Sequence, residues 1–187
     1  MKPDSLIIFG TKETFSIEIK LCENSNKYNL RFSICNNTFG DFKKCGSLDY
    51  LINDYFKLLN LIKADDFDPC FSFLSDYEIF VALFLYSDEN LSTAEEEFKY
   101  NRMEYSGFTF AENQLNNFTF GIIFTNGIIK LLIYEMSGTK EPQFYSFVLN
   151  VTIFLNSYKA FMNFAFKNNL KKSGPFFNDI YSVSDIE

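Results

Sequence analysis

Histidine and tryptophan are absent from the 187 residues, and proline (4), cysteine (4) and glycine (8) are sparse. Without histidine there is no Ser–His or Cys–His nucleophile pair and no histidine-ligated metal site. Catalysis near neutral pH would need tuned carboxylates, lysine, cysteine or tyrosine. No two of Cys22, Cys35, Cys45 and Cys70 stand in a C-x-x-C pair, so the zinc-ribbon and thioredoxin signals are missing. The expectation is reduced, partly buried thiols, with Cys22 and Cys35 in strands. The longest apolar run, Ile79 to Tyr86, is far below membrane-spanning length. After Met1-Lys2-Pro3-Asp4 only four apolar residues follow, too few for a secretory core. A soluble cytoplasmic protein with no membrane association is expected. The chain also lacks internal repeats, low-complexity linkers and a phosphate-binding glycine loop.

What is abundant is phenylalanine (25) and tyrosine (11), alongside isoleucine, asparagine and lysine. An AT-rich coding sequence accounts for that bias, and core packing accounts for the aromatics better than a cavity for apolar small molecules does. With 47% hydrophobic and 22% charged residues, the composition is globular. The length suits a single domain, 1–187, able to bury a core without staples.

Residues 14–21 alternate, with Phe15, Ile17, Ile19 and Leu21 on one side and Thr14, Ser16, Glu18 and Lys20 on the other. This predicts a strand with one wet face. Tyr28, Leu30, Phe32 and Ile34 alternate again after a polar turn, which predicts an antiparallel pair. The expected strands run about 5–9, 14–22 and 28–36, with a further short one over Phe39–Phe42. Ser47 is a candidate N-cap for a helix over about 47–63, whose apolar stripe is Leu48, Leu51, Ile52, Tyr55, Leu58, Leu59 and Ile62. Ser75 or Asp76 can cap a second helix over about 75–86, and Ser92, with Glu95 at the capping-box position, a third over about 92–99.

Strands return at about 105–111, 118–125, 128–136 and 143–149, and Asn126-Gly127 suits a type I′ hairpin turn. Asn150 can cap a last helix over about 151–170, with Phe154, Leu155, Tyr158, Phe161, Met162 and Ala165 as its buried face and Gly174-Pro175 as its stop. A loose tail over 178–187 is expected. The order of elements predicts an α+β fold, a largely antiparallel sheet of about 6–8 strands with helices packed on one face.

Charge is unevenly distributed. Residues 64–98 contain ten acidic residues and no lysine or arginine, against 14 acids and 17 bases elsewhere. The net charge of −7 therefore hides a −10 segment in an otherwise slightly positive chain. Such a segment steers a basic partner and repels phosphates, arguing against nucleic acid as a direct ligand. A merely solubilising surface is the competing explanation. Asp65, Asp66 and Asp68 lie close in sequence but lack the spacing and glycine of a calcium loop. No metal site and no cofactor are expected.

Three further motifs share a pattern. Phe9-Gly10-Thr11-Lys12-Glu13-Thr14-Phe15-Ser16-Ile17-Glu18 is followed by Phe39-Gly40-Asp41-Phe42, and then by Gly46-Ser47-Leu48. In that order they resemble bacterial immunity protein family 42, found beside polymorphic toxins. Its members open with a strand running into Phe-Gly-Asp-Lys-x-x-Phe-Ala-Ile-Glu, then a Gly-Asp dipeptide, then Gly-Ser/Thr-Leu opening a helix. Thr11 and Ser16 depart from that pattern, and the resemblance covers about the first 60 residues. Gly10 and Gly40 suit turns of positive φ, and Glu18 and Asp41 suit backbone capping or orientation, ahead of direct contact with a toxin.

The resemblance implies a non-catalytic, monomeric cytosolic protein that binds one cognate toxin domain with a basic surface, such as a nuclease. The candidate toxin-binding residues are the acids Asp65, Asp66, Asp68, Asp76, Glu78, Asp88, Glu89, Glu95, Glu96 and Glu97, with Phe67, Phe71, Phe73 and Tyr77 as aromatic anchors. The alternatives are an adaptor module with a solubilising acidic segment and, behind it, an enzyme built on paired carboxylates.

Overall fold

The computed structural model describes residues 5–22, 28–43, 45–46, 51–52, 55, 58–59, 74–81, 115, 117–125, 127–136 and 141–168. Strands β1 (Leu6–Gly10), β2 (Phe15–Leu21), β3 (Tyr28–Ile34) and β4 (Asn37–Phe39) form one antiparallel meander. Strands β5 (Phe118–Thr125), β6 (Ile128–Glu135) and β7 (Gln143–Asn150) form a second. Helix α1 is Asp76–Phe80 and helix α2 is Val151–Lys167. The fold is α+β, and among the described residues the strands form two antiparallel sheets of four and three strands instead of the single sheet expected. Local alternation specifies the strands, whereas their division between sheets is a non-local property that periodicity does not report.

The two sheets and α2 share one core. Registers Ile17↔Phe32 and Phe15↔Ile34 align the apolar side of the first sheet. Phe15 packs there against Phe154 of α2, with ring centroids 4.4 Å apart, and against Phe32 and Tyr158. Phe32 meets Phe120 of β5, while Phe39 sits edge-on to Phe118, Tyr145 and Phe147 of the second sheet. Helical residues Leu51, Ile52, Tyr55 and Leu58 are buried in the same core, and the Tyr55 ring stacks on Tyr158.

Helix α1 lies on the other face of the second sheet. Its Phe80 packs against Tyr134 and Phe144, which alternate with core-facing Ile133 and Tyr145. The described helices therefore pack on different sheets, α2 on β1 and β2 of the first and α1 on the outer face of the second, instead of together on one face. Buried Ile79, Phe80, Ile123 and Leu132 form a satellite of the main core.

Local signals explain the ends of the elements. The Asn150 carboxamide accepts from the Thr152 and Ile153 amides and starts α2 as expected. The helix closes at Lys167, ahead of Gly174-Pro175, with Asn168 as its C-cap, whose side chain donates to the Phe164 carbonyl. Ser157 joins the buried face of α2, and Leu155 is only partly buried. Cys35 and Asn36 both have positive φ, so they form the two-residue turn between β3 and β4 and Cys35 is not in a strand. Strand β4 consequently begins at Asn37 and ends at Phe39, before Gly40 (φ 92°), instead of spanning Phe39–Phe42.

Two further expectations are overturned. The second face of β2 is not wet: Ser16 and Glu18 are fully buried. Cys22 and Cys45 are joined in a disulfide instead of standing as reduced thiols. Paired hydrogen bonds between Tyr28 and Gly46 bring Cys45 to the end of the β2–β3 ladder, a non-local approach invisible in the cysteine spacing. Cys35 is a free, exposed thiol.

The expected helix over 92–99, strand over 105–111 and tail over 178–187 lie outside the described residues, as do Ser47, Cys70 and residues 82–86 of the second helix. Among the described residues, no helix is long and apolar enough to cross a membrane, and no cluster of three metal-ligating side chains occurs.

Candidate functional site

Of the candidate residues in the acidic segment, Asp76, Tyr77 and Glu78 fall within the described residues, all on α1. Asp65, Asp66, Phe67, Asp68, Phe71, Phe73, Asp88, Glu89, Glu95, Glu96 and Glu97 lie outside them. Helix α1 begins with a reciprocal cap. The Glu78 amide donates to Ser75 Oγ, while the Glu78 carboxylate accepts from the Ser75 amide at 2.8 Å and from its hydroxyl at 2.7 Å. Those bonds hold the Glu78 carboxyl below the usual range while leaving it at the surface.

Asp76 points inward instead. Its carboxylate accepts from Lys130 Nζ at 2.7 Å and from Ser146 Oγ at 2.5 Å, tying α1 to β6 and β7. Partial burial opposes its ionisation, but the bonds from Lys130 and Ser146, with the Lys130 charge, outweigh that and lower its pKa. Tyr77 is exposed and lies edge-on to Phe144, 5.3 Å between centroids. Val148 and Ile128 are exposed on the same face of the second sheet. The described part of the segment thus presents Tyr77 and the capped Glu78 carboxylate at the surface, on the sheet face where Val148 and Ile128 are also exposed. Asp76 fixes this surface in place and is not presented at it.

A second polar cluster escaped the sequence reading. On the outer face of the first sheet, Glu18 is fully buried between Arg31 and Ser33. Arg31 Nε and Nη2 approach one carboxylate oxygen at 2.8 and 2.6 Å, Ser33 Oγ donates to the other at 2.5 Å, and Lys12 Nζ stands 3.7 Å away. Phe42 lies over the Arg31 guanidinium at 4.4 Å, with Lys20 near the same ring. The available signal was register: once β2 and β3 pair, Glu18 stands opposite Arg31. The cluster binds β2, β3 and the β1–β2 turn together, and its buried carboxylate offers no access for a substrate.

The three motifs take structural roles here. Phe9, Phe15 and Ile17 enter the core, and Lys12 and Glu18 pair. Gly10, at φ 99°, lets α2 approach so closely that a Cβ would stand 2.3 Å from both the Phe15 carbonyl oxygen and Ser157 Oγ. Ser157 Oγ donates to that carbonyl. Gly40 faces Leu115 in the same manner, Asp41 accepts from the Lys43 amide, and Gly46 pairs with Tyr28.

No family model matches the chain, and no curated protein matches its sequence. Among solved structures there is a match. The fold is similar to that of CdiI from Burkholderia dolosa AUO158. The TM-score is 0.51 at 14% identity, and the alignment covers 84% of this chain and 99% of CdiI. At that identity the likeness to CdiI is one of architecture, the arrangement of sheets and helices, and carries no residue of CdiI onto this chain.

Proposed function

We propose that this chain is an immunity protein, which binds a cognate toxin domain and neutralises it without catalysis of its own. The observation that carries the proposal is the fold likeness to CdiI, a contact-dependent inhibition immunity protein, over nearly the whole of that chain. The resemblance of the three N-terminal motifs to those of immunity protein family 42 adds support, while no family model matches the chain. The partner is a protein toxin domain with a basic surface, such as a nuclease. The acidic segment 64–98 contributes to its capture, with Tyr77 as one anchor and Glu78 as one of the charges.

The test is protection. The toxin domain encoded by the adjoining gene is induced in a susceptible cell with and without this chain. Growth restored by the intact chain supports the proposal, and continued killing at equal expression refutes it. The interface is tested separately by reversing Glu95, Glu96 and Glu97, or Asp65, Asp66 and Asp68, to lysine. Unchanged affinity at low salt would place the interface elsewhere while leaving the function intact.

One observation favours a second reading, an adaptor module whose acidic segment is mainly structural and solubilising. Asp76 is spent on Lys130 and Ser146 inside the molecule. Failure of any adjoining toxin domain to bind, with retained solubility defects in the charge-reversed variants, would select it.

A further inference from the structure

The Cys22–Cys45 disulfide sits where two covalently distant parts of the chain meet. Cys22 follows the end of β2, Cys45 precedes the residue that pairs with Tyr28, and the bond closes a separation of 23 residues. Cys45 is exposed and Cys22 is partly so, which leaves the bond open to a thiol in solution. The side chain of Asn29, itself buried, lies against both sulfurs. Its Oδ1 is 3.4 Å from Cys22 Sγ and its Nδ2 is 3.5 Å from Cys45 Sγ.

That carboxamide has a polarity the disulfide alone does not use. A disulfide sulfur bears no proton and has nothing to donate to Oδ1. A Cys22 thiol does: its S–H would find an acceptor already in place. A Cys45 thiol or thiolate would find a donor in Nδ2. In the bonded state only Cys45 Sγ has a partner in Asn29, the donor Nδ2, whereas in the reduced state both sulfurs do.

We infer that Cys22–Cys45 is a reversible thiol–disulfide exchange site, which Asn29 equips for both redox states and whose ligand is a small thiol such as glutathione. In the reducing direction an external thiolate attacks Cys45 Sγ, a mixed disulfide forms there, and the Cys22–Cys45 bond breaks. The electron pair stays on Cys22, which takes a proton from solvent and donates to Asn29 Oδ1. A second external thiolate then attacks the external sulfur of the mixed disulfide, releasing Cys45 and an external disulfide. Two external thiols are oxidised for one protein disulfide reduced. The mechanical consequence is local: release frees Cys45-Gly46 from covalent attachment to β2, and among the described residues the backbone hydrogen bonds between Gly46 and Tyr28 and the Asn29 Nδ2 contact to Cys45 remain to hold it.

The full chain is equilibrated in glutathione buffers of graded ratio, quenched with an alkylating agent, and the Cys22 and Cys45 peptides are quantified by mass spectrometry. The expected result is a linked pair at oxidising ratios that converts to two alkylated cysteines, reversibly, across the series. The reduced wild type should melt about 5–10 °C below the oxidised form, and Cys45→Ser should melt near the reduced wild type with no response to reductant. Asn29→Leu should move the glutathione midpoint about threefold to tenfold toward the bonded form, by removing partners of the thiols. Separate alkylation of Cys22 and Cys45 at every ratio would overturn the proposal, as would a linked pair that glutathione never opens. An unmoved midpoint in Asn29→Leu would remove Asn29 from it.

Discussion

On the face of each sheet turned away from the shared core, a carboxylate meets a basic side chain and a serine of the sheet. In the first sheet the set is Glu18, Arg31 and Ser33, with the carboxylate fully buried. In the second it is Asp76, Lys130 and Ser146, with the acid 28% and the lysine 35% exposed. The chemistry is nearly the same and the energetics are not. Removing one member of a buried pair leaves its partners without the interaction that compensated their desolvation, whereas an exposed pair is screened and replaced by water. The first cluster therefore fastens the scaffold, and the second holds a short helix against it at an accessible surface.

The largest break in that comparison should come at Glu18. Replacing it by alanine strands Ser33 and leaves Arg31 and Lys12 facing each other, and is expected to cost about 3 kcal/mol in urea unfolding. That is the low end for a buried pair, because both cations reach solvent. A loss below 1 kcal/mol would erase the distinction between the sheets. The paired change Glu18→Leu with Arg31→Met should recover much of the loss.

The turn glycines sharpen the comparison next. Gly10 and Gly127 both have positive φ, but a Cβ at Gly10 meets α2 and the Phe15 carbonyl while one at Gly127 meets open space. Gly10→Ala is expected to destabilise by about 2–3 kcal/mol and Gly127→Ala by about 1 kcal/mol, the strain of the left-handed backbone alone. Equal melting temperatures for the two variants would contradict the close approach of α2.

The smallest effect is expected at Asp76. Asp76→Asn should cost no more than about 1 kcal/mol, and that cost should shrink in high salt. Because the folded pKa of Asp76 is lowered, its contribution is present above the ordinary value of 3.8 and is lost as pH falls below it toward the folded value. Fluorescence of Tyr77 and the other tyrosines, followed through an acid titration, should report α1 loosening in the wild type at a pH where Asp76→Asn has no corresponding step.

Much of this was legible in the chain. The alternation of β2 and β3, the Asn150 cap, and the β5–β6 hairpin with its turn at Gly127 are local features, decided by residues within a few positions of one another. What was missed is non-local. Alternation marked Ser16 and Glu18 as wet because a period of two records which face a side chain takes, and says nothing of what covers that face. The Cys22–Cys45 bond depends on Gly46 pairing with Tyr28, and the role of Ser157 depends on Gly10, 147 residues away in sequence. The acidic segment was conspicuous by composition, yet composition did not distinguish Asp76, turned inward, from Glu78, left at the surface.

The central claim is capture of a protein toxin by this scaffold, and calorimetric titration of the adjoining gene's purified toxin domain into the intact chain tests it most directly. Saturable binding at one toxin domain per chain, weakening as salt is raised, is the predicted outcome. Absence of heat and of co-elution at micromolar concentrations of both proteins would contradict it.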